Sequence, residues 1–379
     1  MGSVFTVLYL DNAATSYRKP AAVYASMLKN TVINSANAGR GGHYYSIRTA
    51  KGIYETSESL CRLFNIPSPE RIAYTPNATY ALNMGILGAL SENSHAVITQ
   101  MEHNSVLRPV YKTCKYTMVK ASNKGEIDPG EVEKAIKPNT SMIIMTHASN
   151  VCGTILPIKE CARIAHRHGL IFMVDAAQSA GCLPVDVERD GIDLMAFSGH
   201  KGLMTPLGVG GLYVREGIRL KPIITGGTGS MSESLEQPDF MPDLLQSGTV
   251  NAPAIIAAKK SIDLIIKETP KGIGESEKRL AEYAAEKLKN IGGLAVYGLE
   301  KGNRNGTVAF NVKGIDSIRT AEILNDDFHI CTRGGWHCAY PSHEALGTEK
   351  TGAVRASFGY YNTIKDADRL VDAVFKISK

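Results

Sequence analysis

From about residue 70 the chain alternates short apolar runs with longer segments of helical period. The runs RIAYT (71–75), HAVIT (95–99), KYTMV (115–119), SMIIMTH (141–147), LIFMVDA (170–176), LMAFS (194–198) and VGGLYV (209–214) predict strands. Helices are predicted between them, at NATYALNMGILGAL, near 104–113, at DPGEVEKAI and at PIKECARIAHRH. Asp128 suits the N-cap of the third, with Pro129 at its first helical position. Such alternation predicts an α/β fold, a parallel or mostly parallel sheet with helices on both faces. Beyond about residue 255 the pattern changes. Two helical stretches, 253–268 and 272–290, precede GTVAFNV (306–312), a helix near 316–326, the run ICTR, AVRASF (353–358) and a final helix over 364–377. This predicts a smaller α+β domain. The expected organisation is an N-terminal arm (1–19) packing with the small domain, a large domain (20–255) and a C-terminal domain (256–379).

Ligands of such sheets bind outside the carboxyl ends of the strands. Polar clusters stand at five of those ends: TPNAT (75–79), QMEHNS (100–105), THASN (146–150), DAAQ (175–178) and SGHK (198–201). Their joint placement points to one pocket.

Composition narrows the class. The 379 residues are 44% hydrophobic and 21% charged, as in an ordinary globular protein with a large core. The net charge of +5 is spread along the chain, with no basic block interleaved with aromatics, so nucleic acid is not an expected partner. No stretch of 18 apolar residues occurs, so no membrane span is expected. The first apolar run is short, has no basic residue before it and ends in a polar turn, unlike a signal peptide. Seven cysteines, scattered and without a CxxC pair, predict free thiols in a reducing compartment, the cytoplasm. Six of them are expected to be small core residues.

One lysine, Lys201, stands among small and apolar residues in DLMAFSGHKGLMTPLGVGGLYV (193–214). Read alone, it is either a surface lysine beside a tight turn or a desolvated amine able to form a Schiff base with a carbonyl. Pyridoxal phosphate needs such a lysine, and an acidic partner for its ring nitrogen. Asp175 ends an apolar strand, where an unpaired carboxylate is costly; a protonated pyridine nitrogen would pair it. Gln178 suits the ring oxygen, and His103 suits stacking on the ring. TPNAT runs into a helix, so the backbone at Ala78 and Thr79 suits a phosphate, with Ser198 and His200 adding donors. Thr79 read alone is equally an ordinary N-cap.

The motifs LDNAAT, MEHNS, THASNVCGT, VDAAQSAG, AFSGHKG, SGTVNAPAI and RGGWHCAYP together resemble the class V aminotransferase family of fold-type I pyridoxal-phosphate enzymes. Within it they resemble the cysteine desulfurases and selenocysteine lyases of the second group. The resemblance runs from about Tyr9 to Ile377. It implies that Lys201 holds the cofactor, that Asp175 pairs with the pyridine nitrogen and Gln178 with the ring oxygen, and that His103 stacks on the ring. It implies that Ala78, Thr79, Ser198 and His200 hold the phosphate. Asn150 would sit near cofactor and substrate, and Arg355 would grip the substrate carboxylate, which its planar fork matches. A homodimer is implied, with Thr249 reaching the phosphate of the other subunit and Arg40 near the neighbouring site.

CTRGGWHCAYPSH (331–343) puts Cys338 in a polar, glycine-containing loop. A small buried thiol is the plain reading. His329, Cys331, His337, Cys338 and His343 are a rival set of metal ligands, but they lack the paired spacing of zinc sites, and no metal is expected. The resemblance implies a third role: Cys338 attacks the sulfur of L-cysteine and keeps it as a persulfide for an acceptor protein or small thiol; L-selenocysteine is the other substrate implied, its weaker carbon–selenium bond asking less of Cys338. His103 would move protons, and positive groups near the thiol, with Arg333 and His337 close in sequence, would favour the thiolate. The family commonly carries two histidines before this cysteine, where this chain has GWHC, and 341–351 departs from its pattern. Two alternatives remain open: a selenocysteine lyase or another class V pyridoxal-phosphate lyase or aminotransferase that does not use Cys338, and a non-catalytic scaffold that binds a sulfur carrier or a metal.

Overall fold

The computed structural model describes residues 7–39, 41–299 and 301–379. Its main sheet has seven strands in the order Ile72–Thr75, Gly210–Val214, Leu194–Ser198, Ile171–Asp175, Thr140–Thr146, His95–Thr99 and Lys115–Val119. All run in one direction except Gly210–Val214, which is antiparallel to both neighbours. Its direction follows from its connection. Only residues 199–209 link it to Leu194–Ser198, too few for a crossover helix, so the chain must turn straight back.

Successive side chains of a strand take opposite faces. Val97, Ile143, Met145, Phe172, Val174, Met195 and Phe197 enter one core, with Leu60, Phe64, Ile164 and Ile262 from helices above them. Ala96, Ile98, Met142, Ile144, Met173, Leu194 and Ala196 enter the other, against Leu82, Ile86, Val106 and Val110. Burial on both faces is why these strands read as continuous apolar runs.

Two helices before residue 70, Ala21–Ile33 and Tyr44–Phe64, have no counterpart in the hydrophobic pattern. The second buries Ser46, Thr49, Thr56, Ser57 and Ser59 beside Leu60 and Phe64. Its hidden face thus carries five hydroxyls beside two large apolar side chains.

A second sheet is antiparallel, with Thr307–Val312 between Leu294–Tyr297 and Val354–Ser357. Helices Pro270–Lys289, Ser317–Phe328 and Ile364–Ile377 accompany it and close a separate core around Leu280, Phe310, Leu324 and Leu370. Leu8–Tyr9 pairs in parallel with Ile330–Cys331, and Leu8 and Leu10 join this second core. The helix Ala252–Glu268 spans the boundary expected at 255 and puts Ile255, Ala258, Ile262 and Ile265 into the first core. No described helix is long and apolar enough to cross a membrane.

Candidate active site

Five strand ends, at Thr75, Thr99, Thr146, Asp175 and Ser198, open on the same edge of the large sheet. The segments that follow enclose a cavity of about 290 Å³. Ala78, Thr79, His103, Asn150, Asp175, Gln178, Ser198, His200, Lys201 and Arg355 all line it. Thr249 is exposed and lines a different hollow with Ala38 and Gly39, Cys338 is not among the lining residues, and Arg40 lies outside the described residues.

Lys201 sits on the turn after Leu194–Ser198. The N-terminal segment straps that turn: Ser16 N, Ser16 Oγ and Thr15 Oγ1 all donate to the carbonyl of His200, at 2.8–3.0 Å. Burial lowers the Lys201 pKa to about 8; Asp175 opposes the shift, and Arg355 and Arg333 add to it. An amine poised there is available as a nucleophile near neutral pH.

Asp175 is 4% exposed, and its Oδ1 accepts from Ala177 N at 2.9 Å. Burial raises its pKa, and the bond to Ala177 and the charge of Lys201 hold it back. A cation beside the carboxylate would ionise it fully. Beneath it lies Glu102, fully buried, whose Oε1 accepts from Thr99 Oγ1 at 2.6 Å and Thr146 N at 3.0 Å. Burial raises Glu102 to about 8, so it stays neutral at pH 7. Nothing in the hydrophobic pattern marks it apart from its place in QMEHNS.

His103 caps the helix Asn104–Thr113. Its Nδ1 accepts from Ser105 N at 3.1 Å, which puts the proton of the neutral ring on Nε2. Burial, with Lys201 and Arg333, lowers its pKa to about 4, so the ring is a neutral plate. Ser105 Oγ also bonds Thr79 Oγ1 at 2.8 Å, a tie the sequence did not suggest. Thr79 is not an N-cap: Asn77 holds that position, its side chain accepting from Tyr80 N at 3.3 Å. The asparagine stands two residues earlier and leaves the threonine hydroxyl to bond Ser105 at the cavity wall.

The phosphate expectation meets a physical test here. Ser198 is 2% exposed, and neither its Oγ nor the buried Nδ1 of His200 has a hydrogen-bond partner. Buried polar atoms without partners are costly. Both line one cavity with the first residues of Ala78–Ala89, whose N-terminus favours an anion. These groups fit a phosphate. Burial, aided by Lys201 and Lys19, lowers His200 to about 4, and a bound anion would pull it back up. Gln178 donates from Nε2 to Ala13 O at 2.9 Å.

Arg355 is 1% exposed; Nη2 donates to Asp11 Oδ1 at 2.6 Å, Nη1 to Asn150 O at 3.0 Å, and Nε is buried without a partner. Asp11, within LDNAAT, is thus the counter-ion of the guanidinium, a role its sequence position did not reveal.

Cys338 is exposed, and the other six cysteines are free thiols, three buried and three half-buried. The buried three are Cys152, Cys161 and Cys182; Cys61, Cys114 and Cys331 are less enclosed than small core residues would be. Cys338 hangs beside the cavity. Its carbonyl accepts from Asn104 N at 2.7 Å, and that of His337 accepts from Asn150 Nδ2 at 2.8 Å. His337 does not supply a positive charge to the thiol. Its ring is 3% exposed, faces inward onto His343, and is driven by burial to a pKa of about 2. Trp336, where the resemblance expects a histidine, donates to Glu349 O at 2.8 Å and so pins the 341–351 stretch. Among the described residues no three His, Cys, Asp or Glu side chains converge as a metal site requires.

Comparison with known proteins bears on the whole chain. A probable cysteine desulfurase of Methanothermobacter thermautotrophicus is 33% identical, over 98% of this chain and 94% of its own length. Another, from Halalkalibacterium halodurans, is 35% identical over 98% and 93%. The apo structure of a cysteine desulfurase from Thermococcus onnurineus superposes with a TM-score of 0.90, at 31% identity, over 98% of this chain and 94% of that one. The sequence pattern of the family described as Aminotransferase class-V matches residues 8–370, from the first paired strand to the last helix. A family pattern over nearly the whole chain and relatives above 30% identity at full length settle the family: this chain belongs to the class-V aminotransferase family.

Proposed function

We propose that this chain is a pyridoxal-phosphate-dependent cysteine desulfurase. The observation that carries the reading is the hanging of an exposed thiol, Cys338, from the wall of the cavity that holds Lys201 and Asp175. A lyase or transaminase with no use for the thiol has no need of that suspension.

When bound, pyridoxal phosphate would supply an electron sink for the amino-acid substrate. Lys201 would anchor the group through its amine and later return a proton. Asp175, ionised by the ring's charge, would keep the pyridine nitrogen protonated. Ser198 Oγ, His200 Nδ1 and the backbone at Ala78 and Thr79 would take the phosphate, and Gln178 the ring oxygen. His103 would lie over the ring and shuttle a proton from Nε2. Arg355 would bind the substrate carboxylate, with Asn150 beside it. The Cys338 thiolate would attack the sulfur of L-cysteine: a sulfur–sulfur bond forms, the Cβ–Sγ bond breaks, and its electron pair passes to the carbon that is then protonated. L-Cysteine and the thiol of Cys338 give L-alanine and the persulfide of Cys338. An acceptor thiol takes the outer sulfur. L-Selenocysteine, with its weaker carbon–selenium bond, would ask less of Cys338.

This reading puts the reaction in the cytoplasm and in a homodimer, with Thr249 turned to the neighbouring site. It treats residues 20–255 as the cofactor domain, 256–379 as the domain bearing the thiol, and 1–19 as the arm between them.

The test is alanine release from L-cysteine, with and without a reductant, by wild type and Cys338→Ala. Alanine and sulfide from wild type, with loss in the variant, support the reading. Equal release from both moves the chain to a lyase that does not use the thiol. No release from two yellow proteins moves the search to other amino acids.

A further inference from the structure

His337 and Cys338 are consecutive non-glycine residues in the left-handed region, at φ 51° and 56°. Side chains other than glycine resist that conformation, and it persists only where the surroundings over-determine it. Asn150 Nδ2 and Asn104 N hold the carbonyls of the two residues, and behind the turn lies a chain of buried polar groups. His337 Nε2 bonds the carbonyl of Arg333 at 3.1 Å. His337 Nδ1 faces His343 Nε2 at 3.3 Å, the two rings stacking with centroids 5.4 Å apart. His343 Nδ1 faces Thr348 Oγ1 at 2.7 Å. The three side chains are almost wholly buried, at 3%, 0% and 1% exposure.

One arrangement of protons satisfies this chain with both rings neutral. A carbonyl only accepts, so His337 carries its proton on Nε2 and accepts at Nδ1. His343 must then donate from Nε2 and accept at Nδ1, and the Thr348 hydroxyl donates to it. Burial keeps both rings neutral, with pKa values near 2 and 4. Each group is therefore fixed in direction, and a fully satisfied buried network specifies one geometry. The same histidine whose ring ends the chain offers its carbonyl to Asn150, and the next residue is the thiol.

We propose that His343 is a positioning residue for Cys338: through the Thr348–His343–His337 chain it holds the left-handed turn that presents the thiol to the substrate's sulfur. The proposal rests on the desulfurase reading of Cys338. His343 touches neither cavity nor thiol; it acts through His337. Without it the turn relaxes to negative φ and the thiol swings away, while the groups that bind cofactor and substrate stay in place.

The experiment uses the holoenzyme. It follows single-turnover persulfide formation at Cys338 by mass spectrometry, and substrate binding by the change in near-visible absorbance with L-cysteine. His343→Leu is expected to slow persulfide formation by about 10-fold or more, with the half-saturating L-cysteine concentration moved by less than about 3-fold. His343→Gln, whose amide can still donate to His337, is expected to recover most of the rate. Thr348→Val, which removes one link, is expected to slow it by about 3-fold. Wild-type persulfide rates in His343→Leu, or equal losses in His343→Leu and His343→Gln, would overturn the proposal and leave the desulfurase reading intact. Should His343→Leu fail to fold, an unchanged rate in Thr348→Val overturns it instead. Cys338→Ala run alongside separates the two ideas: full alanine release there removes the desulfurase reading, and this inference with it.

Discussion

Lys201 stands three residues past a strand buried in the middle of the large sheet, whereas Cys338 stands in a loop between the two-residue strand Ile330–Cys331 and the seven-residue helix Tyr340–Leu346. The lysine turn inherits its position from the sheet. Leu194–Ser198 is paired on both sides, wholly buried, and strapped by three donors from residues 15 and 16. The thiol loop has only a short frame, the backbone bonds of Arg333 with Arg355 and of Ala353 N with Gly335 O. Beyond that, its shape comes from the backbone N–H of Asn104 and from the side chains of Asn150, His343 and Thr348. Placement by sheet suits a group that must stay fixed against a cofactor. Placement by a strained, polar-clamped loop suits one that must reach in and then hand its cargo out.

The largest effect expected is from the sheet end. Lys201→Ala should cut alanine release by roughly 10³-fold or more, since both the anchor and a proton carrier are lost. The protein should remain folded, because removing a buried cation from an apolar wall relieves desolvation. Comparable turnover in this variant would break the comparison at its root, for the chemistry would then not sit on the sheet.

The difference in construction explains what could be read from sequence. Apolar runs ending in polar clusters mark Thr79, His103, Asn150, Asp175, Gln178, Ser198, His200 and Lys201, because a parallel sheet brings its strand ends to one edge whatever the rest of the chain does. The supports of Cys338 leave no such trace. A left-handed φ at His337 and Cys338 has no residue signature when neither is glycine. His343 reads only as one of a rival set of metal ligands, and nothing singles out Thr348. Asp11 is recognisable within LDNAAT but not as the partner of Arg355, 344 residues away.

The next effect sharpens the sheet end alone. Only an uncharged amine attacks a carbonyl, and burial sets the Lys201 pKa near 8 rather than at the value of a solvated lysine. The rate at which apoprotein takes up pyridoxal phosphate, followed by its absorbance, should rise about 10²-fold from pH 6 to pH 8 and level off above. A rise continuing to about pH 10 would mean a solvated lysine and an open wall.

A smaller effect probes the seam between the two regions. Asn150→Ala removes the donor to the His337 carbonyl but leaves the backbone carbonyl that Arg355 uses. Persulfide formation should fall by about 10-fold, the worth of one buried hydrogen bond left unmade. Pyridoxal phosphate uptake should change far less. Equal losses in both would make Asn150 a part of the cofactor site rather than a strut for the loop.

The smallest effect concerns how dry the loop's interior is. His343 is fully buried, and its folded pKa is lowered to about 4 by that burial. In the unfolded chain it titrates near 6.5. Between those values the unfolded state binds the extra proton, so acid favours unfolding: the stability this neutral ring carries is complete above pH 6.5 and drains away as pH falls towards 4. His337, lowered further to about 2, behaves likewise. His343→Gln removes one titrating ring and keeps the other. Denaturant unfolding at pH 7 and pH 5 should therefore show wild type losing about 1–2 kcal/mol more than the variant over that interval. An equal loss in both proteins would mean that His343 takes its proton without unfolding. Water would then reach the histidine pair, and the thiol turn would be held by something softer than a sealed hydrogen-bond chain.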